Sequence, residues 1–161
     1  MGVIVSSSVR SAEQRIRDVL ELFDTQEDAW VASASADGKA HLVPLSFYWT
    51  GAVFIMALPG NSVTARNLRR AGWARIAIGP TRDVAIVEGP VEMPAPLDDD
   101  PIWDAHAESC GFDARQPAGF YSLISLTPDQ IQTWRNPDEL QDRQVMRAGS
   151  WVARIHDQRS A

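Results

Sequence analysis

Residues 126–143 read Leu-Thr-Pro-Asp-Gln-Ile-Gln-Thr-Trp-Arg-Asn-Pro-Asp-Glu-Leu-Gln-Asp-Arg. A proline turn leads into an apolar-alternating run that ends at Trp134; a polar turn and the pair Asp142-Arg143 follow. Alternation at period two is the mark of a half-buried strand, so a strand is expected at 130–134, set between turns. Just upstream, 120–126 alternates as well, with Phe120, Ser122, Ile124 and Leu126 on one face and Tyr121, Leu123 and Ser125 on the other. Downstream, a last strand is expected around 151–155.

The texture nearer the N-terminus is similar, after one helix. Residues 11–23 place Ile16, Val19, Leu20 and Phe23 on one helical face, with Ser11 as cap and Gln14 three residues later in a capping-box arrangement. Trp30, Ala32 and Ala34 then alternate with Val31, Ser33 and Ser35, and Asp37-Gly38 signals a hairpin. The return strand, 40–49, contains Pro44, which has no N–H for a ladder and so marks an edge or a bulge. After Thr50-Gly51 the apolar run 52–58 is a strand of buried type, completing an antiparallel meander. A second helix is expected at 63–71, stopped by Gly72. Two strands, 74–79 and 84–93, are joined by Pro80-Thr81-Arg82-Asp83, and Asp100-Pro101 starts a third helix ending near Cys110-Gly111. Six or seven strands in meander order, with helices at the ends, predict one mainly β domain (α+β) over 1–161. Its parts are a helix at 11–23, an antiparallel barrel from 29–93 and 119–156, and a helical insert at 94–112. Closing such a meander removes its exposed edges.

Bulk composition narrows the function. The 161 residues are 45% hydrophobic and carry a net charge of −6, which argues against nucleic acid or an anionic membrane as partner. No run approaches the ~18 apolar residues of a membrane span, and the start has no basic segment typical of a secretory leader. The bare pattern of Gly2 followed by Ser6 is a weak myristoylation match. A cytoplasmic protein is expected. The lone Cys110 precludes an internal disulfide and reads as structural. His41, His106 and His156 stand far apart, so no metal site is expected, and Asp98-Asp99-Asp100 lacks the alternating ligands of a calcium loop. Gly-x-Ser-x-Gly and the glycine-rich phosphate fingerprints are absent. One stretch offers an anion site: Gly60-Asn61-Ser62-Val63-Thr64-Ala65-Arg66-Asn67-Leu68-Arg69-Arg70 places hydroxyls and arginines at a helix start that follows a buried strand. A capped surface helix with solvated arginines explains the same pattern equally well.

The order of features in 126–143 resembles the C-terminal signature of the pyridoxamine 5′-phosphate oxidase family, FMN-binding split barrels in which a Trp and a later Asp-Arg lie beside the flavin. The resemblance spans about 13–155. It implies a split β-barrel of the flavin-binding type and a homodimer whose groove holds the cofactor. Cofactor contacts are then implied for Trp134 and Arg143; for Ser62, Thr64, Arg66 and Asn67 in the phosphate turn; for His41, Val43 and Pro44 on the return strand; and for Arg82, reaching from the partner. Val63 and Thr64 replace the two basic residues of the family turn, with Arg66 and Arg69 as substitutes. Where the true oxidases hold substrate with an Arg and a His, this chain has Glu139 and Gln141. Glu139 would repel an anionic substrate there, so pyridoxamine phosphate is not the expected one. The resemblance implies a flavin-dependent oxidoreductase acting on a small organic molecule, with FMN, or alternatively the deazaflavin coenzyme F-420, as hydride carrier. No catalytic side chain is evident. The contrasting reading is a non-enzymatic dimeric module that binds a cofactor or another small ligand.

Overall fold

The computed structural model describes residues 9–155. His156, the last residue of the expected barrel span and the Gly2–Ser6 pattern lie outside them. Helix α1 (Ala12–Thr25) is capped by the Ser11 hydroxyl, which accepts from the Gln14 main-chain N–H. The reciprocal half of the capping box does not form, because the Gln14 side chain donates to Asp18 instead, at 2.7 Å. Ile16, Val19 and Phe23 are fully enclosed, and the Phe23 ring meets Phe54 edge-on at 4.8 Å.

Strands β1 (Asp28–Ala34), β2 (Ala40–Trp49) and β3 (Phe54–Pro59) form the expected meander. Between β1 and β2 the Ser35 N–H donates to the Lys39 carbonyl, and Gly38 takes the left-handed conformation that closes a short hairpin. Helix α2 (Val63–Ala71) ends at Gly72, also left-handed, and leads into β4 (Trp73–Ile78) and β5 (Val84–Glu92). Helix α3 (Pro101–Cys110) is capped by Asp100. After it come β6 (Tyr121–Leu126), β7 (Gln130–Trp134), a 3-10 turn Pro137–Glu139, β8 (Gln144–Arg147) and β9 (Ser150–Trp151).

Six strands in the order β4-β1-β2-β3-β6-β5 close through the β4–β5 pairing, and β7, β8 and β9 extend the sheet beyond β5. The barrel is therefore the expected α+β split barrel, with short added strands. The strand expected around 151–155 is only Ser150–Trp151, and its partner β8 was not foreseen. A bulge near Val145 explains why: Val145 and Met146 are both buried, which breaks the alternation that reveals a strand.

Two strands change partners, and these changes open the split. Over residues 40–46, β2 pairs with β1 alone; its pairing with β3 begins at Phe47. Pro44 sits in the singly paired part, as its missing N–H requires. On its second edge β5 pairs with β6 through Val91 and Glu92, then with β7 from Val84 to Glu88. The chain crosses from one neighbour to the other at Gly89, where the Thr127 and Asp129 N–H groups donate to Pro90 and Glu88.

β6 is covered on both faces. Ile124 and Leu126 face the barrel core, while Leu123 joins Ile55, Ala57, Trp103 and Ala114 in a second cluster under α3. His106, on α3, is wholly buried, with neither ring nitrogen partnered and Phe112 edge-on at 5.3 Å. Burial lowers its pKa, against a smaller opposite pull from Asp113.

A Cβ at Gly89 would overlap the Thr127 carbonyl oxygen. Both groups are backbone, so neither can turn away. Gly89→Ala is expected to lower stability by roughly 1–3 kcal/mol, read as a lower midpoint in urea unfolding; an unchanged midpoint would show that the crossing is loose.

Candidate functional site

The sequence-expected site residues fall into two groups at opposite ends of one sheet. The first group surrounds the gap between β2 and β3. Helix α2 packs beside it on β1: the Asn67 side-chain amide donates to the Ser33 hydroxyl at 3.1 Å, and Arg70 donates to the Ala34 carbonyl at 2.6 Å. Ser33 pairs with His41 and Val31 with Val43, so His41 and Val43 share the inner side with the helix, and Val43 packs on the core. Pro44, opposite Trp30, points to the outer face. His41, Val43 and Pro44 thus present two different sides of one strand.

At the start of α2 the Ser62 hydroxyl is engaged as the cap, accepting from the Ala65 N–H at 3.1 Å. Thr64 and Asn67, implied as cofactor contacts, do not stand open at the turn. Both are buried against the barrel, because they fall on the inward face of an amphipathic helix, and the Asn67 amide is held by Ser33. The arginines behave otherwise. Arg66 folds back to the Asn61 carbonyl at 2.5 Å and Arg69 to the Gly60 carbonyl at 3.5 Å. Two guanidinium groups therefore stand at the turn where the helix dipole already favours an anion.

The second group lies beside the β4–β5 connection. Trp134 pairs with Val84 and is half-buried. With Thr81, Arg82, Arg135, Asn136, Pro137 and Leu140 it lines an open recess of about 330 Å³. Arg143 is exposed beside it, donating to the Gln132 side chain at 2.8 Å and to the Leu140 carbonyl at 2.9 Å. Arg82 does not pair with Asp83, whose cationic neighbours are Arg135 at 2.9 Å and Arg10 at 3.7 Å.

Glu139 is the main surprise. Expected to face a substrate, it is 1% exposed. Its carboxylate accepts from Arg10 Nε at 2.8 Å, from Arg10 Nη2 at 2.7 Å and from the Arg135 N–H at 2.9 Å. Arg10 also holds Asp18 at 2.7 Å, and Arg135 lies 3.3 Å from Asp18. This charge cluster ties α1, the β4–β5 turn and the 135–139 segment together, and the buried Arg15 adds a bond to the Asp142 carbonyl. Desolvation would be prohibitive for a lone carboxylate here, but a two-pronged guanidinium compensates it. The repulsion once expected at Glu139 therefore has no surface on which to act. Sequence spacing gave no warning, since Arg10 and Glu139 are 129 residues apart.

The two groups are well separated within one chain. Ala32, next to Ser33, is level with Arg75 and Glu88, whereas Trp134 is level with Val84. Four residues along β5 is about 13 Å, before the sideways distance across strands is added. Between the groups runs the outer face of the sheet, where Trp30, Leu42 and Pro44 meet Ala77 and Ile86 by register. Trp30 is 52% and Leu42 59% exposed.

No protein-family model and no curated protein matches the chain. Solved structures do. A heme binding protein from Mycobacterium smegmatis superposes with a TM-score of 0.64 at 16% identity, over 80% of this chain and 55% of that one, so this chain spans about half its length. A putative pyridoxamine 5′-phosphate oxidase from Listeria innocua gives 0.63 at 15% identity, over 78% of this chain and all of the other. An F420 reductase gives 0.58 at 15% identity, over 69% and 93%. At such identities the likeness is one of fold: the chain has the split barrel of the pyridoxamine 5′-phosphate oxidase-like proteins.

Hydrogen bonding to Arg10 depresses the Glu139 pKa to about 2, against an ordinary 4.5. Its contribution to stability is present above about pH 4.5 and is lost as pH falls toward 2, on the order of 3 kcal/mol. Glu139→Gln is expected to destabilise the protein at pH 7, and its deficit against the parent should shrink on acidification across that window. A deficit constant from pH 7 to pH 3 in chemical unfolding would contradict the charge assignment.

Proposed function

We propose that this protein is a homodimeric flavin-dependent oxidoreductase acting on a small organic molecule, with FMN held between two copies. The observation that carries the proposal is the separation of the two groups across one exposed sheet face, on which Trp30, Leu42, Pro44 and Ile86 stand beside the Arg75–Glu88 ion pair. A two-fold axis lying across the strands sets the α2 end of one copy against the Trp134 end of the other. Trp30, Leu42, Pro44 and Ile86 supply the apolar core such a contact needs. Neither half suffices alone: the α2 turn offers positive charge without an aromatic wall, and the Trp134 recess offers the wall with Arg82 and Arg143.

In this reading the turn at Ser62, with Arg66, holds the cofactor phosphate. The unpaired edge of β2 beside His41 and Val43 flanks the ring, and Trp134 shields it from water, with Arg82 and Arg143 nearby. The flavin supplies hydride transfer; the chain binds, orients and excludes solvent. Neither holder of the true oxidases' substrate has a counterpart here, since Glu139 is internal and Gln141 is a neutral amide. Pyridoxamine phosphate is accordingly not the proposed substrate.

A second reading, the deazaflavin F-420, is favoured by one observation. Among the described residues Arg66, Arg69 and Arg70 bond to carbonyl oxygens, at Asn61, Gly60 and Ala34, and none has a carboxylate partner. Three uncompensated guanidinium groups along one helix suit the longer acidic tail of that coenzyme.

Titration with FMN is expected to quench tryptophan fluorescence and to leave a bound chromophore absorbing near ~450 nm. Trp134→Ala should weaken FMN at least about tenfold. Leu42→Glu should convert the dimer to a monomer in light scattering and abolish binding with it. Binding of F-420 but not FMN would select the second reading. A folded protein that binds neither at high micromolar concentration would leave the non-enzymatic module.

A further inference from the structure

A second recess, of about 550 Å³, lies between α3, the 93–98 connection, the start of β6 and Arg69 of α2. The volume lies within the range of small-molecule sites. Its floor is apolar and aromatic: Trp103, Ala114, Tyr121 and Leu123, with Met93 and Pro96 on the near wall. Trp103 and Ala114 are themselves buried, so the floor belongs to the packed cluster under α3 and is preformed.

Two interactions hold the walls in place. The Trp103 indole N–H donates to the Leu97 carbonyl at 3.0 Å, fastening the 93–98 connection to the helix. Arg115 bonds to Asp113 at 2.8 Å and to Asp104 at 2.7 Å, and it reaches the Asp98 carbonyl at 3.3 Å. Its charge is thus compensated within the rim. Arg69, the other cation of the lining, has no carboxylate partner among the described residues; its bond is the 3.5 Å contact to Gly60. Asp98 is the lining's carboxylate residue.

We propose that this recess is a separate binding site for a small aromatic anion, its ring on the Trp103–Tyr121–Leu123 floor and its acidic group on Arg69. A planar apolar body gains from leaving water there. An anion completes a guanidinium that the fold leaves uncompensated.

The probe is 8-anilinonaphthalene-1-sulfonate, an aromatic sulfonate that fluoresces in apolar surroundings, titrated into the full chain. Saturable binding at one site per chain is expected. Arg69→Ala should weaken it about tenfold, and Asp98→Asn, which removes a negative charge, should tighten it. Ala118 is on the lining and exposed, so Ala118→Trp can block the recess without entering the core; it should abolish probe binding while leaving FMN binding and the melting temperature unchanged. Unaltered probe binding in folded Arg69→Ala and Ala118→Trp would overturn the site, and weaker binding in Asp98→Asn would overturn the anionic assignment. Loss of FMN binding in Ala118→Trp would assign the recess to the flavin and overturn a separate site. Should the parent protein fail to bind FMN, the probe series still tests the recess alone.

Discussion

A six-stranded barrel with further strands attached needs one strand to serve three neighbours, and β5 does so by dividing one edge between β6 and β7. The division requires the 127–129 backbone to cross β5 within hydrogen-bonding distance. That approach is possible only because residue 89 has no side chain. The passage of the chain from β6 to β7, and with it the outward placement of β7, depends on this crossing. With a wider crossing, β7 would lose its place beside β5, and Trp134 would no longer share a face with Ile86 and Trp30.

The charge cluster completes what the crossing starts. Buried ion pairs rarely add much net stability over apolar packing, yet leaving one partner uncompensated is costly. Arg10, Asp18, Asp83, Arg135 and Glu139 come from three separate parts of the chain, so each part is held in one position relative to the others. The consequence for the candidate site is indirect and geometric. The 135–139 segment is fixed against α1, which leaves Trp134 and Leu140 at the surface, and Arg143 is steadied by Gln132 and the Leu140 carbonyl.

Much of this was legible in the residues. Pro44 declared its edge position because a missing donor is a local property, and Gly38, Gly72 and Gly111 marked left-handed turns for similarly local reasons. Helix α1 was plain from its apolar spacing. β8 was hidden, since its bulge buries two successive side chains and erases the period-two signal. Thr64 was ambiguous, because a hydroxyl near a helix start suits a phosphate or an inward face equally well, and only packing shows that it is buried. Glu139 was misjudged: its partner, Arg10, lies at the other end of the chain, and sequence distance says nothing about such a meeting.

By itself the sequence determined the order of the three helices and of the strands up to β7, the hairpins and the barrel class, because these follow from side-chain period and backbone preference over a few residues. Tertiary structure alone decided that β5 is shared at Gly89, that Glu139 turns inward, and that the predicted site residues divide between two ends of one sheet face. Each of these is a contact between segments far apart in the chain, set by packing and by the cost of burying charge, which short-range pattern does not encode.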